Sequence, residues 1–167
     1  MATINTVAYG QRPGSVVLPE SERMLFSCSG CNVSITSQPS ALTWTARGTC
    51  MVTSQRLLFV ARVPTTSEMK SLSVPLHSLS NGRYTMPILW APYWQATMLL
   101  EHVGHRRFTH LQLQFHEGGG AQFHSMLTKA QQQWDIDRRY DECLPPYAPP
   151  GIDALVPPPP TYDETHT

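Results

Sequence analysis

The C-terminal segment carries the residues whose types and spacing most directly predict a binding chemistry. Pro159-Pro160-Thr161-Tyr162 follows the order Pro-Pro-x-Tyr. A polyproline II helix has three residues per turn and is preformed, so Pro159 and Tyr162 face the same way and binding costs little chain entropy. WW domains clasp such prolines in an aromatic groove. The spacing predicts a WW-domain ligand with contacts at Pro159, Pro160 and Tyr162, and the alternative is a simple spacer.

A second proline motif lies closer to the middle of the chain. Leu144-Pro145-Pro146-Tyr147 matches the Leu-Pro-x-Tyr variant that WW domains also accept. The WW contacts would then be Leu144, Pro145 and Tyr147. The alternative is that Leu144 and Tyr147 pack back onto the preceding domain, with Trp134 and Tyr140 as anchors. The sequence leaves both interpretations open.

The cysteines and histidines have only part of the spacing that a metal site requires. Cys28-Ser-Gly-Cys31 is a C-x-x-C pair, but structural zinc takes four ligands, usually as two such pairs, and Cys50 and Cys143 are unpaired. His102 and His105 could complete a set, but two arginines follow them directly and would disfavour a cation. We expect strand cysteines that are partly buried, with no metal and no cofactor.

Catalytic fingerprints are missing from the sequence. There is no Gly-x-Ser-x-Gly elbow, no His-Glu-x-x-His and no dinucleotide fingerprint. The Gly118-Gly119-Gly120 run lacks the Lys-Ser/Thr that a phosphate-binding loop needs. We therefore predict that the protein is not an enzyme.

Arg106 and Arg107, beside His105, form the densest basic cluster in the sequence. Such a pair in a loop is a candidate contact for lipid headgroups or other phosphates, although phosphate-binding surfaces usually gather more lysine and arginine than this. The alternative is a solvated loop that attracts the acidic tail. No direct sequence-specific DNA binding is expected.

Charge and proline content divide the 167-residue chain. Residues 1–139 hold all twelve Lys and Arg and seven acidic residues, whereas residues 140–167 hold five acidic residues, no base and eight of the fifteen prolines. An acidic, proline-rich segment buries too little apolar surface to offset its ordering entropy. We predict a flexible N-terminus at 1–15, a globular domain at 16–139 and a disordered tail at 140–167. No secretory signal and no membrane span are expected.

The apolar periodicity predicts the elements that must position these motifs. Thr109–His116 alternates strictly, with Leu111, Leu113 and Phe115 on one face, as in a half-buried strand. After the glycines the period becomes 3.6, which predicts an amphipathic helix over 121–137. Its buried face would hold Phe123, Met126, Leu127, Ala130 and Trp134.

Further strands are predicted upstream, and a turn at Ser54-Gln55 indicates a hairpin. The predicted strands are Met24–Ser29, Asn32–Ser37, Thr49–Thr53, Arg56–Arg62, Ser71–Leu79 and Tyr93–His102. Many strands followed by one helix predict a mainly β fold, a small sandwich or barrel closed at one end by the helix.

Three segments resemble a known family. Gly48-Thr-Cys-Met-Val-Thr-Ser-Gln-Arg-Leu-Leu-Phe-Val60 resembles the hairpin of GRAM domains, and Ser71–Leu79, with Pro75-Leu76, resembles the strand that follows it. Leu111–Ala130 resembles the last strand and C-terminal helix. With a Pro-Pro-x-Tyr tail added, this order resembles the WW-domain-binding protein 2 family.

The resemblance covers roughly residues 16–162 and implies a PH-like GRAM domain followed by a WW-binding tail, which is shorter here than the family's long tails. It implies a non-enzymatic adaptor for WW-domain proteins, either chromatin-associated transcription coactivators or HECT-type ubiquitin ligases, in the nucleus and cytoplasm. The other function weighed is a module that binds phosphoinositides or a membrane surface and recruits a WW-domain ligase.

Overall fold

A computed structural model of the chain describes residues 1–8, 16–37, 42–62, 69–102 and 105–143. Eight strands are followed by one long helix, with a short 3-10 helix, Leu76–Ser78, between the fifth and sixth strands. The strands are β1 Ala2–Ile4, β2 Met24–Ser37, β3 Leu42–Thr53, β4 Arg56–Ala61, β5 Ser71–Pro75, β6 Leu79–Thr85, β7 Tyr93–His102 and β8 His105–Phe115, and the helix is α1 Gly120–Cys143.

The strands close into a barrel. The hydrogen-bonded order is β1-β5-β4-β3-β2-β8-β7-β6. β1 closes the ring, which contains every strand except β6. Thr3 of β1 pairs antiparallel with Ser73 of β5, and Ala2 pairs parallel with Leu100 of β7. β6 pairs with the first part of β7. The predicted mainly β architecture with one C-terminal helix is confirmed.

The barrel interior is filled by alternating side chains from the strands. On β8, Leu111, Leu113 and Phe115 are buried as predicted. α1 covers this core with Phe123, whose ring lies 5.2 Å from that of Phe115 and 5.4 Å from that of Trp94 in an edge-on arrangement. Aromatic rings prefer such tilted geometries. Phe123 therefore anchors the helix to the barrel.

The helix differs from its prediction in length and in burial. It begins at Gly120 and ends at Cys143, so it crosses the expected boundary between residues 139 and 140. Phe123, Leu127 and Ala130 are buried, but Met126 and Trp134 are only partly so. The charged and polar residues that end the helical pattern stay helical because helix formation tolerates them on solvated turns. In the described part of the chain, no helix has the length and apolarity that crossing a membrane requires.

Two predicted segments have a different local structure. Met24–Ser29 and Asn32–Ser37 are one continuous strand, β2, with a shift in pairing register between Cys28 and Cys31. Gly30 lies in this bulge with φ of 67°, and a β-carbon there would collide with the Glu117 carboxyl group. Bulges of this kind favour glycine because it adopts positive φ without strain.

The prediction of one strand at Ser71–Leu79 is wrong in its second half. β5 ends at Pro75, and the chain turns through the 3-10 helix before β6 begins at Leu79. Pro75 has no N–H for a sheet ladder, which explains why pairing stops there. Ser78 Oγ donates a hydrogen bond of 2.9 Å to the Pro75 carbonyl and so stabilises the turn.

The N-terminus also differs from the expected flexible segment. Residues 2–4 form β1, and Ala2 is fully buried between β5 and β7. Asn5 Oδ1 accepts hydrogen bonds from the backbone N–H groups of Lys70 and Ser71 at 2.7 and 3.1 Å. Three residues are too few for a periodic pattern, so this strand is determined by its distant partners.

Candidate functional site

The residues of both proline motifs lie outside the described part of the chain. These are Leu144, Pro145, Tyr147, Pro159, Pro160 and Tyr162. α1 ends at Cys143, so the first motif begins at the residue after the helix and the second follows fifteen residues later.

Arg106 and Arg107 lie in a strand and not in a loop as predicted. They are the second and third residues of β8, where Arg106 is paired with Glu101 and Arg107 with Leu100 of β7. Arg106 is exposed and Arg107 is partly buried. Glu101 therefore lies directly opposite Arg106 in the register, which places an acidic residue beside the basic pair.

Three of the four cysteines, Cys28, Cys31 and Cys50, meet where β2 and β3 pair, and Cys143 is the last residue of α1. Cys28 is half-buried and lies opposite Cys50 in the register, while Cys31 and Cys50 are buried. Burial, followed by the neighbouring Cys28, raises the pKa of Cys31 to about 12, and burial also raises the pKa of Cys50. No cluster of His, Cys, Asp or Glu suited to a metal ion occurs in the described ranges. The geometry fits free thiols packed in a core.

Alkylation measures this burial directly. In the native chain at pH 8, Cys31 and Cys50 should react far more slowly with iodoacetamide than Cys28, because burial shields both sulfurs and raises the pKa of both thiols. Mass spectrometry of the labelled peptides gives the three rates. In urea the three cysteines should react alike. Native Cys31 or Cys50 reacting as fast as Cys28 would contradict the described packing.

A cleft of about 660 Å³ opens at the end of the barrel where the β3–β4 turn lies. Among its lining residues the Glu22 side chain, 1% exposed, accepts three hydrogen bonds from the Arg56 guanidinium: from Nε to Oε1 at 2.9 Å, from Nε to Oε2 at 3.1 Å and from Nη2 to Oε2 at 2.8 Å. The Thr53 hydroxyl also donates to Glu22 Oε1. The Arg56 backbone N–H donates to Thr53 Oγ1 at 3.0 Å, which holds the hairpin turn without an Asn-Gly sequence.

The cleft wall is aromatic, and its arrangement does not favour catalysis. The ring of His77 lies 5.2 Å from that of Trp134. The Arg138 guanidinium lies over the Trp134 ring, 5.5 Å from its centroid. Burial lowers the pKa of His77, and the positive charges of the amino terminus and Arg138 lower it further. Glu22 is occupied by Arg56 and Thr53, so its carboxylate is not available as a general base.

Removing one partner of the buried ion pair should be strongly destabilising. Replacing Arg56 with methionine should lower the free energy of unfolding by about 3 kcal/mol, because the Glu22 carboxylate would stay buried without its cation. Arg56→Lys should cost less, since it keeps the charge and loses only the bidentate geometry. Urea unfolding measures both. A double variant with Glu22→Gln should recover part of the loss, and equal losses for methionine and lysine would contradict this role.

The turn between β6 and β7 presents a surface that the sequence analysis missed. We call residues 86–92, Met-Pro-Ile-Leu-Trp-Ala-Pro, the β6–β7 loop. Ile88 is 99% exposed, Leu89 88% and Trp90 80%. Apolar runs of this length normally predict burial, so composition alone would have assigned the loop to the core. Its exposure follows from the hairpin that carries it.

Comparisons with known proteins identify the fold and go no further. No family model matches the sequence, and no curated protein matches it. Among solved structures, the chain is similar to the Vps36 N-terminal PH domain, with a TM-score of 0.57 and 18% identity over 78% of this chain and 94% of that one. It is also similar to a chain of the 8S snRNP assembly intermediate, with a TM-score of 0.53 and 11% identity over 79% and 92%. The protein has a PH-like fold.

Proposed function

We propose that the protein is a non-enzymatic adaptor that binds WW-domain proteins through Pro159, Pro160 and Tyr162. The observation that carries the proposal is the Pro-Pro-x-Tyr order in a proline-rich segment that follows a separate PH-like domain. Polyproline II segments bind aromatic grooves with little loss of chain entropy. The PH-like domain is compatible with a binding role, and the cleft and cysteines described above favour no catalytic alternative.

The finer assignment is to the GRAM type of PH-like domain and to the WW-domain-binding protein 2 family. Its support is the hairpin sequence at 48–60, which forms strands β3 and β4, and the strand-glycine-helix order at 111–130. The partners of such a protein would be coactivators in the nucleus or HECT-type ubiquitin ligases in the cytoplasm. Leu144, Pro145 and Tyr147 would supply a second ligand, the alternative being that Leu144 and Tyr147 pack onto the domain.

The placement of the tail is consistent with an adaptor. α1 has 24 residues and so spans about 36 Å from the Gly120 end, which packs on Tyr84 and Phe115, to Cys143. The tail follows directly in sequence on the last residue of this helix. Pro159 comes sixteen residues after Cys143, so the motif is separated in sequence from the PH-like domain.

A panel of purified WW domains probed with the full chain tests the proposal. At least one domain should bind, and Tyr162→Ala should weaken that binding roughly thirtyfold. Tyr147→Ala removes the tyrosine of the other motif from the same tail and should weaken binding less. A full chain that binds no WW domain, or a Tyr162→Ala variant that binds as well as the original, would refute the adaptor function.

The second candidate function is binding to phosphoinositides or a membrane surface. The observation that favours it is the exposed Arg106 at the β7–β8 hairpin of a PH-like fold. Arg106→Ala with Arg107→Ala should then reduce binding to phosphoinositide-containing vesicles, measured by co-sedimentation of the full chain. Unchanged sedimentation would remove these arginines from the site.

A further inference from the structure

The β6–β7 loop projects large apolar side chains from the end of the barrel. Ile88 and Leu89 are at the middle of the loop, Trp90 follows them, and Met86 at its start is 68% exposed. Single exposed apolar residues are ordinary, whereas a contiguous group marks a surface that is covered when the protein works. This is the most apolar exposed segment among the residues described.

The loop is held firmly at its base. Trp94, the second residue of β7, is buried in the barrel core, and the Phe115 N–H donates a hydrogen bond of 2.9 Å to the Pro92 carbonyl. Tyr84, near the end of β6, stacks on His124 of α1 with ring centroids 6.1 Å apart. These contacts fix the base of the loop before anything binds, which lowers the conformational entropy lost on binding.

We infer that the β6–β7 loop inserts its apolar tip into the interfacial layer of a lipid bilayer. Along the chain the aliphatic Ile88 and Leu89 lie at the tip and Trp90 follows them, and the half-buried Tyr84 and Tyr93 lie at the end of β6 and the start of β7. Tryptophan and tyrosine prefer the membrane–water interface, where an apolar ring meets a polar edge. In the hot spot of a protein–protein interface, by contrast, the aromatic residue lies at the centre of the buried contact.

Charge is distributed around the loop as a membrane contact requires. No residue from 84 to 100 is charged, so insertion of the tip buries no ion. Exposed Arg83 lies just behind the loop on β6 and can meet lipid phosphates. The acidic Glu117 in the turn before α1 is paired with Arg47 at 3.4 Å. Residues 1–143, which include the whole of α1, hold twelve basic and nine acidic residues, and this net charge of +3 complements an anionic membrane.

This surface is distinct from the arginine pair considered above. The loop adjoins Tyr93 at the start of β7, whereas Arg106 lies opposite Glu101 near its end. Eight residues of strand separate the two places by about 27 Å. A flat bilayer that receives the loop therefore does not reach Arg106 at the same time. The inference does not depend on the tail, because α1 runs away from the loop toward Cys143.

Vesicle binding by the full chain tests the insertion. The chain should co-sediment with vesicles of phosphatidylcholine mixed with phosphatidylserine, and Ile88→Asp with Leu89→Asp should reduce the bound fraction at least about tenfold, since aspartate resists entry into lipid. Phe108→Asp is the matched control, because Phe108 is 73% exposed on β8, away from the loop. All three proteins should melt at similar temperatures, which separates loss of binding from loss of fold.

Brominated lipids give a second readout. They should quench the fluorescence of the full chain through Trp90, and Trp90→Phe should remove most of that quenching. The inference is overturned if the chain does not bind either this mixture or phosphatidylcholine alone, or if the Ile88→Asp, Leu89→Asp variant binds as well as the original. It is also overturned if only the Arg106→Ala, Arg107→Ala variant loses binding. Failure of WW binding in the panel above would leave this result unchanged.

Discussion

Tyr162→Ala is expected to weaken binding of the chain to a WW domain by about 2 kcal/mol or more, which is roughly thirtyfold in Kd. The tyrosine ring enters its own pocket in such complexes, so truncation leaves that pocket empty. Pro159→Ala should have a similar effect, because Pro159 lies one polyproline turn before the tyrosine and faces the same groove. These two residues are the proposed anchors of the interaction.

Thr161→Ala is the matched control for this series. Thr161 occupies the unspecified position of the motif, which in a polyproline II helix would face away from the groove, so its truncation should change Kd less than threefold, about 0.6 kcal/mol. Isothermal titration calorimetry of the full chain and its three variants against one WW domain gives the comparison. Equal losses at Pro159, Thr161 and Tyr162 would show that the assigned register is wrong.

Phe123→Ala should lower the free energy of unfolding by about 3–5 kcal/mol, the range for removing a fully buried phenylalanine. Phe123 has no exposed surface and contacts the rings of Phe26, Trp94 and Phe115, with centroids 5.2–6.4 Å away. Its loss opens a cavity between α1 and the barrel. A domain of ordinary stability would retain little of its folded population.

Trp134→Ala provides the comparison along the same helix. Trp134 is larger but only partly buried, and one side of its ring lies against His77 in the open cleft. Its removal should cost less than that of Phe123, because the vacated space fills with water. Chemical denaturation of both variants measures the order. An equal or greater loss for Trp134 would mean that the helix is anchored at its C-terminal half.

The elements that could be predicted from the sequence are those whose pattern is local. β8 alternates over seven residues and the first half of α1 repeats every 3.6 residues, so their buried faces follow from spacing alone. The β3–β4 hairpin was predicted from two β-rich runs and a short turn. The order of these elements was sufficient to predict a mainly β fold with one C-terminal helix.

The features that were missed depend on distant partners. Ala2–Ile4 is a strand because it pairs with β5 on one side and with β7 on the other. Glu22 and Arg56 are 34 residues apart, and nothing in either neighbourhood indicates that one is buried by the other. The β6–β7 loop has a composition typical of a core, and its exposure is a property of the tertiary fold. The pairing of β7 with β8 likewise places Glu101 opposite Arg106, which the local sequence around the arginines does not indicate.

A titration of the isotopically labelled full chain with one WW domain, followed by NMR, tests the central claim most directly. We expect backbone signals from residues near Pro159–Tyr162 to shift as the complex forms, while signals from the barrel strands and from Phe123 and Leu127 of α1 keep their positions. A division of this kind would show a folded domain and a separate ligand in one chain. Shifts confined to the barrel, or no shifts at any residue of the tail, would contradict it.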